Sequence, residues 1–212
     1  MNKIKIGIFG AGRGADIAEN LMLFDDCEIV SLCERDEKRA EKFLSRLNID
    51  IPVFKDFDKF IEQDMDAVVL ANFFHEHAAF AIKALEKGIH VLSDTTAAPT
   101  LGECVKLCET VEKYKKVYML AENYIYMPKN QAIKAMVEAG LFGECYYAEG
   151  MYLHNIDQLM KYKNGKTRLL TPYLKNGNRR FVYVVKLLKG SCLLKRKLLH
   201  SRNLKKTCAQ GV

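Results

Sequence analysis

The residues that could do chemistry in this chain gather at the ends of short apolar runs. The first run leads into Gly10-Ala11-Gly12-Arg13-Gly14-Ala15, and a helical pattern follows at once. The spacing Gly10-x-Gly12-x-x-Ala15 suits the cradling of a pyrophosphate. Gly10 lets the chain turn sharply out of a strand. Gly12 leaves the backbone open to a phosphate, and Ala15 is small enough for the helix to lie close to the strand. The helix start adds free N–H groups and a positive dipole end. Arg13, inside the turn, joins this set as a cation. Glu34 ends the next apolar run about twenty residues on, where a carboxylate accepts the hydroxyls of an adenosine ribose. A carboxylate there repels a 2′-phosphate, so NAD is expected in preference to NADP. Arg35 and Arg39 offer charge that softens the preference.

Further polar residues follow later apolar runs. Asn72 and His77 come after Asp66–Ala71, Asp94 and Thr95 after Ile89–Leu92, and Glu122 and Asn123 after Val117–Leu120. Ligands of open α/β sheets gather beyond the carboxyl ends of the strands, so these residues are expected to face a bound dinucleotide. His77 reads equally well as a helix N-terminal histidine with structural hydrogen bonds. Glu122 and Asn123 read also as caps of the next loop. Tyr152 and His154 lie two apart on a predicted strand and share a face. Such a pair can serve acid–base chemistry; the alternative is a half-buried aromatic beside a satisfied histidine.

The elements that must position these residues are legible from periodicity. Strands are predicted over 3–9, 28–33, 53–54, 66–71, 89–92 and 117–120. Helices are predicted over 15–24, 36–47, 58–63, 77–87, 101–114 and 130–139. Strands alternating with helices spell an α/β fold with a doubly wound parallel (Rossmann) sheet. Cys145 to Tyr152 alternates and begins a different sheet, the start of a second, α+β domain. The expected division is a dinucleotide-binding domain over 1–121, a linker and domain start over 122–157, and a basic tail over 158–212.

Composition restricts the function classes. No run of about eighteen apolar residues exists to span a membrane, and no signal peptide precedes the first strand. The seven cysteines are scattered, with no C-x-x-C pair. That spacing argues for reduced thiols in a cytoplasm and against a zinc site or a disulfide frame. The net charge of +7 hides a segregation. Residues 1–157 hold 18 bases and all 26 acids, a net of −8, whereas 158–212 hold 15 bases and no acid. A folded continuation of an acidic domain is not expected to lose every carboxylate, so a change of reading frame near 158–170 is the preferred account. A genuine cationic tail that binds nucleic acid or membrane is the alternative. It has few spaced aromatics on which bases would stack.

The order of these motifs resembles the Gfo/Idh/MocA oxidoreductase family. The resemblance rests on the glycine turn, Glu34, Asp66-Ala67-Val68-Val69-Leu70-Ala71-Asn72, His77 and Ala84-Leu85-Glu86-Lys87-Gly88-Ile89-His90-Val91-Leu92. It covers about residues 3–157 and includes Gly140-Leu141-Phe142-Gly143, which matches the family's turn into its second domain. It implies a Rossmann domain that uses NAD(P), a mostly antiparallel second domain that holds substrate, and homo-oligomers in intact members. The implied reaction is redox chemistry at a sugar or polyol carbon, with the Asn72 loop against the nicotinamide ribose. One departure matters. Family members carry Glu-Lys-Pro where this chain has Asp94-Thr95-Thr96. The usual lysine is absent, and Thr95 cannot replace it as a general acid near neutral pH. Asp94 is then expected to hydrogen-bond on the nicotinamide side.

Glu122-Asn123-Tyr124 and Glu149-Gly150-Met151-Tyr152-Leu153-His154 resemble a glycosidase branch of the same superfamily, the NAD-dependent α-N-acetylgalactosaminidase type. Its tyrosine and histidine line the active site, which the resemblance carries onto Tyr152 and His154. Three readings stand: an NAD-dependent oxidoreductase of a small carbohydrate-like substrate, an NAD-dependent glycosidase, and a nucleotide-binding fragment without catalysis. Little of a second domain is recognisable, so binding with little or no turnover is expected.

Overall fold

A computed structural model of the chain describes residues 3–145, 147–155 and 180–188, the last two beyond Tyr147 by backbone alone. It divides into two compact units, Met1–Asn123 and Tyr124–Val212.

The first unit is built on strands β1 (Ile4–Phe9), β2 (Cys27–Cys33), β3 (Val53–Phe54), β4 (Ala67–Leu70), β5 (His90–Ser93) and β6 (Tyr118–Leu120). They form one parallel sheet in the order β3-β2-β1-β4-β5-β6, the doubly wound order with its switch point between β1 and β4. Helices α1 (Ala11–Leu21), α2 (Glu37–Leu47), α3 (Phe57–Phe60), α4 (His77–Glu86) and α5 (Leu101–Tyr114) cover it. Side chains alternate across a strand, so the continuous apolar run of β4 feeds two cores. Val69 joins Ile8, Leu32, Ala15, Ala18 and Phe43 on the α1–α2 face. Val68 and Leu70 join Phe9, Phe60, Leu85 and Leu107 on the α3–α5 face.

Local sequence explains the helix ends. Asp36, Asp56 and Thr100 accept from the backbone N–H groups of Arg39, Lys59 and Glu103, so α2, α3 and α5 begin on side-chain caps. The α1 helix begins on Gly10, which has no side chain to offer. Its free N–H groups therefore remain for other partners.

The second unit contains α6 (Pro128–Glu138), opened by its proline, and the strands β7 (Tyr147–Asn155) and β8 (Arg180–Leu188). β7 and β8 pair antiparallel, with Tyr152 opposite Tyr183 and His154 opposite Phe181. β8 lies within the stretch where the sequence shows no clear periodicity. Its Phe-Val-Tyr-Val-Val core is rich in β-branched and aromatic residues, which favour a strand.

Candidate dinucleotide site

Strand register brings the candidate residues of the first unit to one edge. Cys33, Phe9, Leu70, Ser93 and Leu120 are successive partners across the sheet. The residue after each is also ladder-bonded. Gly10 N–H donates to the Cys33 carbonyl (2.9 Å), Ala71 N–H to Phe9 (2.8 Å), Asp94 N–H to Leu70 (2.8 Å) and Ala121 N–H to Ser93 (2.7 Å). Glu34 N–H donates to the Phe54 carbonyl at 2.8 Å. Gly10, Glu34, Asn72, Asp94 and Glu122 thus lie at or just past the carboxyl ends of five adjacent strands.

The three glycines of the turn do different work. Gly10 has φ +99°, and a Cβ on it would meet the Ala71 carbonyl oxygen at 2.5 Å and carbon at 2.7 Å. It lets β1 turn against the end of β4. A Cβ on Gly14 would stand 2.6 Å from Ile8 Cγ2, so Gly14 too lets the helix lie close to the strand. Ala15 is buried beside it. A Cβ on Gly12 would meet nothing within 4 Å, so its open side faces free space at the start of α1.

Glu34 is half-buried and spans this turn. One carboxylate oxygen accepts from Ala11 N–H at 3.0 Å, the other from Asp36 N–H at 3.1 Å. The carboxylate is therefore held in place by two backbone donors. It supplies the partner for the first N–H of α1 that Gly10 cannot.

Beside it, Ala11, Gly12 and Ala15 of α1 face Arg39, Lys42, Phe43 and Arg46 of α2 across a cavity of about 230 Å³. Arg46 is neutralised from the α1 side by Glu19 (2.6 Å) and Asp16 (2.8 Å). Its guanidinium holds the Asp16 carboxyl below the usual range. Arg39 lies 3.8 Å from Asp36. The amphipathic α2 thus buries Ala40, Phe43 and Leu47 and links to α1 through Arg46, beyond the solvated face that its charges suggest.

Toward β4 and β5, Arg13 Nε approaches Asp94 Oδ2 at 3.5 Å, joining the glycine turn to the end of β5. Asn72 Nδ2 donates to Glu76 at 3.1 Å, while its Oδ1 is buried without a hydrogen-bond partner among the described residues. His77 is 1% exposed, with Nδ1 2.8 Å from the Thr96 carbonyl. Thr95, Glu122 and Asn123 are exposed. Tyr152 and His154 lie at alternate positions of β7 in the second unit, and their side chains are outside the described residues. Cys33, fully buried under the site, has its thiol pushed up to about 12 by burial. Among the described residues, no group of three or more His, Cys, Asp or Glu could hold a metal ion. No helix among them is long and apolar enough to cross a membrane.

These features fit a dinucleotide. Gly12 leaves open space on its free side, at an N-terminus without a side-chain cap, beside a fixed carboxylate. Sequence reasoning singled out Gly10, Gly12 and Glu34, and the structure brings them together at the start of α1. That reasoning missed Gly14, whose signal was the third glycine in a pattern that already had its small residue at Ala15.

Known proteins agree with the fold. A "Glycosyl hydrolase family 109 protein 1" of Bacteroides fragilis is 32% identical over 174 residues, covering 76% of this chain and 37% of that protein. A "Glycosyl hydrolase family 109 protein" of Shewanella pealeana is 28% identical over 193 residues, covering 84% and 42%. The chain thus spans less than half the length of the curated relatives it matches. Scyllo-inositol dehydrogenase of Lactobacillus casei, solved with NAD(H) and scyllo-inositol, superposes with a TM-score of 0.65 at 21% identity, over 71% of this chain and 45% of that one. That likeness is one of fold. The profile described as "Oxidoreductase family, NAD-binding Rossmann fold" matches residues 4–122, and the chain belongs to this Gfo/Idh/MocA family.

Proposed function

We propose that the chain binds NAD at the Gly10–Ala15 turn and serves hydride exchange with a sugar- or polyol-like substrate. The single observation that carries the reading is the open side of Gly12 at the start of α1. When bound, NAD supplies a hydride acceptor at its nicotinamide ring. The chain's own residues supply orientation. The first turn of α1 holds the pyrophosphate, Glu34 accepts the adenosine ribose hydroxyls, and Arg13, Asn72, Asp94 and Thr95 border the other half. Glu122 and Asn123 stand at its far end. The family resemblance carries acid–base work onto Tyr152 and His154. Five described cysteines are free, in keeping with a reducing, cytoplasmic compartment.

A second reading, an NAD-dependent glycosidase, is favoured by two specific observations. Thr95 stands where the family's lysine is expected, and relatives such as that of Bacteroides fragilis carry a glycosyl hydrolase name. In it the substrate is oxidised and re-reduced, so no net NADH accumulates. The test incubates the chain and NAD with free polyols and, separately, with an aryl glycoside. Net NADH with a polyol supports the oxidoreductase. Aryl release without net NADH supports the glycosidase. Saturable NAD binding without either leaves a nucleotide-binding module.

A further inference from the structure

His77 opens α4, yet it is 1% exposed. Its Nδ1 lies 2.8 Å from the Thr96 carbonyl. A carbonyl only accepts, so Nδ1 carries the proton and donates. Nε2 is buried without a partner among the described residues. An imidazole that forfeits one polar contact in the core is a costly choice against an apolar side chain of similar volume. What it retains is the bond to Thr96.

That bond joins two segments that matter. His77 belongs to the segment after β4, which carries Asn72. Thr96 belongs to the segment after β5, which carries Asp94 and Thr95. On the opposite flank Asp94 meets Arg13 at 3.5 Å. The segment after β5 is thus held from both sides. In a sheet of this order each half takes one mononucleotide. Glu34 marks β1 and β2 for the adenosine half, so β4 and β5 border the nicotinamide half.

We infer that His77 is a positioning residue for the nicotinamide end of the site: from inside the fold it pins the segment carrying Asp94 and Thr95. It does so without touching the ligand. The inference rests on the dinucleotide reading above.

The test measures NAD and ADP affinities for the 212-residue chain and two variants. H77L keeps the volume and removes the donor. H77N offers an N–H close to the position of Nδ1. Loss of the hydrogen bond to the Thr96 carbonyl predicts NAD binding about tenfold weaker in H77L. ADP, which lacks both the nicotinamide and its ribose, stays within about twofold in the same variant, because the adenosine half is untouched. H77N recovers most of the NAD affinity. A merely structural histidine would move both ligands together. Equal losses for the two ligands, no loss for either, or no advantage of Asn over Leu overturns the inference. Should H77L not fold, H77Q replaces it, because its amide reaches the Nε2 position and misses Thr96. Failure of the unaltered chain to bind NAD rejects the dinucleotide reading instead.

Discussion

Substituting two glycines of one turn should give opposite signatures. A Cβ on Gly12 meets nothing within 4 Å, and Gly12 already lies in the first turn of α1. Alanine is favoured over glycine in a helix by up to about 1 kcal/mol. G12A should therefore melt at or slightly above the unaltered chain, by at most about 4 °C. The same methyl group would occupy the space a pyrophosphate needs. Overpacking of that kind costs about 1–3 kcal/mol, or about 5- to 150-fold in NAD affinity. Gly10 is the converse. Its φ of +99° is strained for alanine, and the new Cβ would lie 2.5 Å from backbone that cannot swing aside. Strain of about 1–3 kcal/mol and a clash of similar size sum to about 2–6 kcal/mol, a large share of a typical domain's stability. G10A should lose its cooperative melt or shift it down by many degrees. Thermal unfolding by circular dichroism and calorimetric NAD titration read both effects. The reasoning is refuted if G12A binds NAD as well as the unaltered chain does, or if G10A melts with it.

Three further outcomes follow from the same geometry. G14A brings a Cβ to 2.6 Å from the fully buried Ile8, so a loss of about 1–3 kcal/mol in urea unfolding is expected, and an unchanged midpoint would contradict it. E34Q removes the charge that meets the ribose and keeps an acceptor for Ala11 N–H; NAD affinity should fall while NADP affinity rises, and an unchanged ratio of the two would remove Glu34 from the site. Burial raises the Cys33 thiol from its ordinary 9.0 to about 12. Its contribution to stability is complete below about pH 9 and is lost as pH rises toward about 12, because only the unfolded thiol ionises in that window. A C33A variant should show a flatter decline in stability across that window, and Cys33 should resist alkylation in the folded chain.

The Rossmann fold was legible because its central strands, such as β4, are covered by helices and read as short apolar runs between amphipathic helices. The strand-end position of Glu34 was legible because it closes the apolar run of β2. The α1 start was not: the sequence suggests Ala15, and the helix begins at Ala11. Gly12 and Gly14 lower helix propensity, and only tertiary closeness to Ile8 and the open cradle explain them. The Glu34 bond to Ala11 and the Arg46 bridge from α2 to α1 join residues far apart in sequence, beyond any local pattern. The role of His77 was invisible for the same reason, since its partner Thr96 lies on the next strand-end segment.

The central claim is that this chain holds NAD on the first turn of α1. The most direct measurement is a calorimetric titration of NAD into the 212-residue chain, repeated in the presence of ADP-ribose. The account predicts one saturable site per chain, competed by ADP-ribose. Absence of saturable binding, or binding that ADP-ribose does not displace, would contradict it.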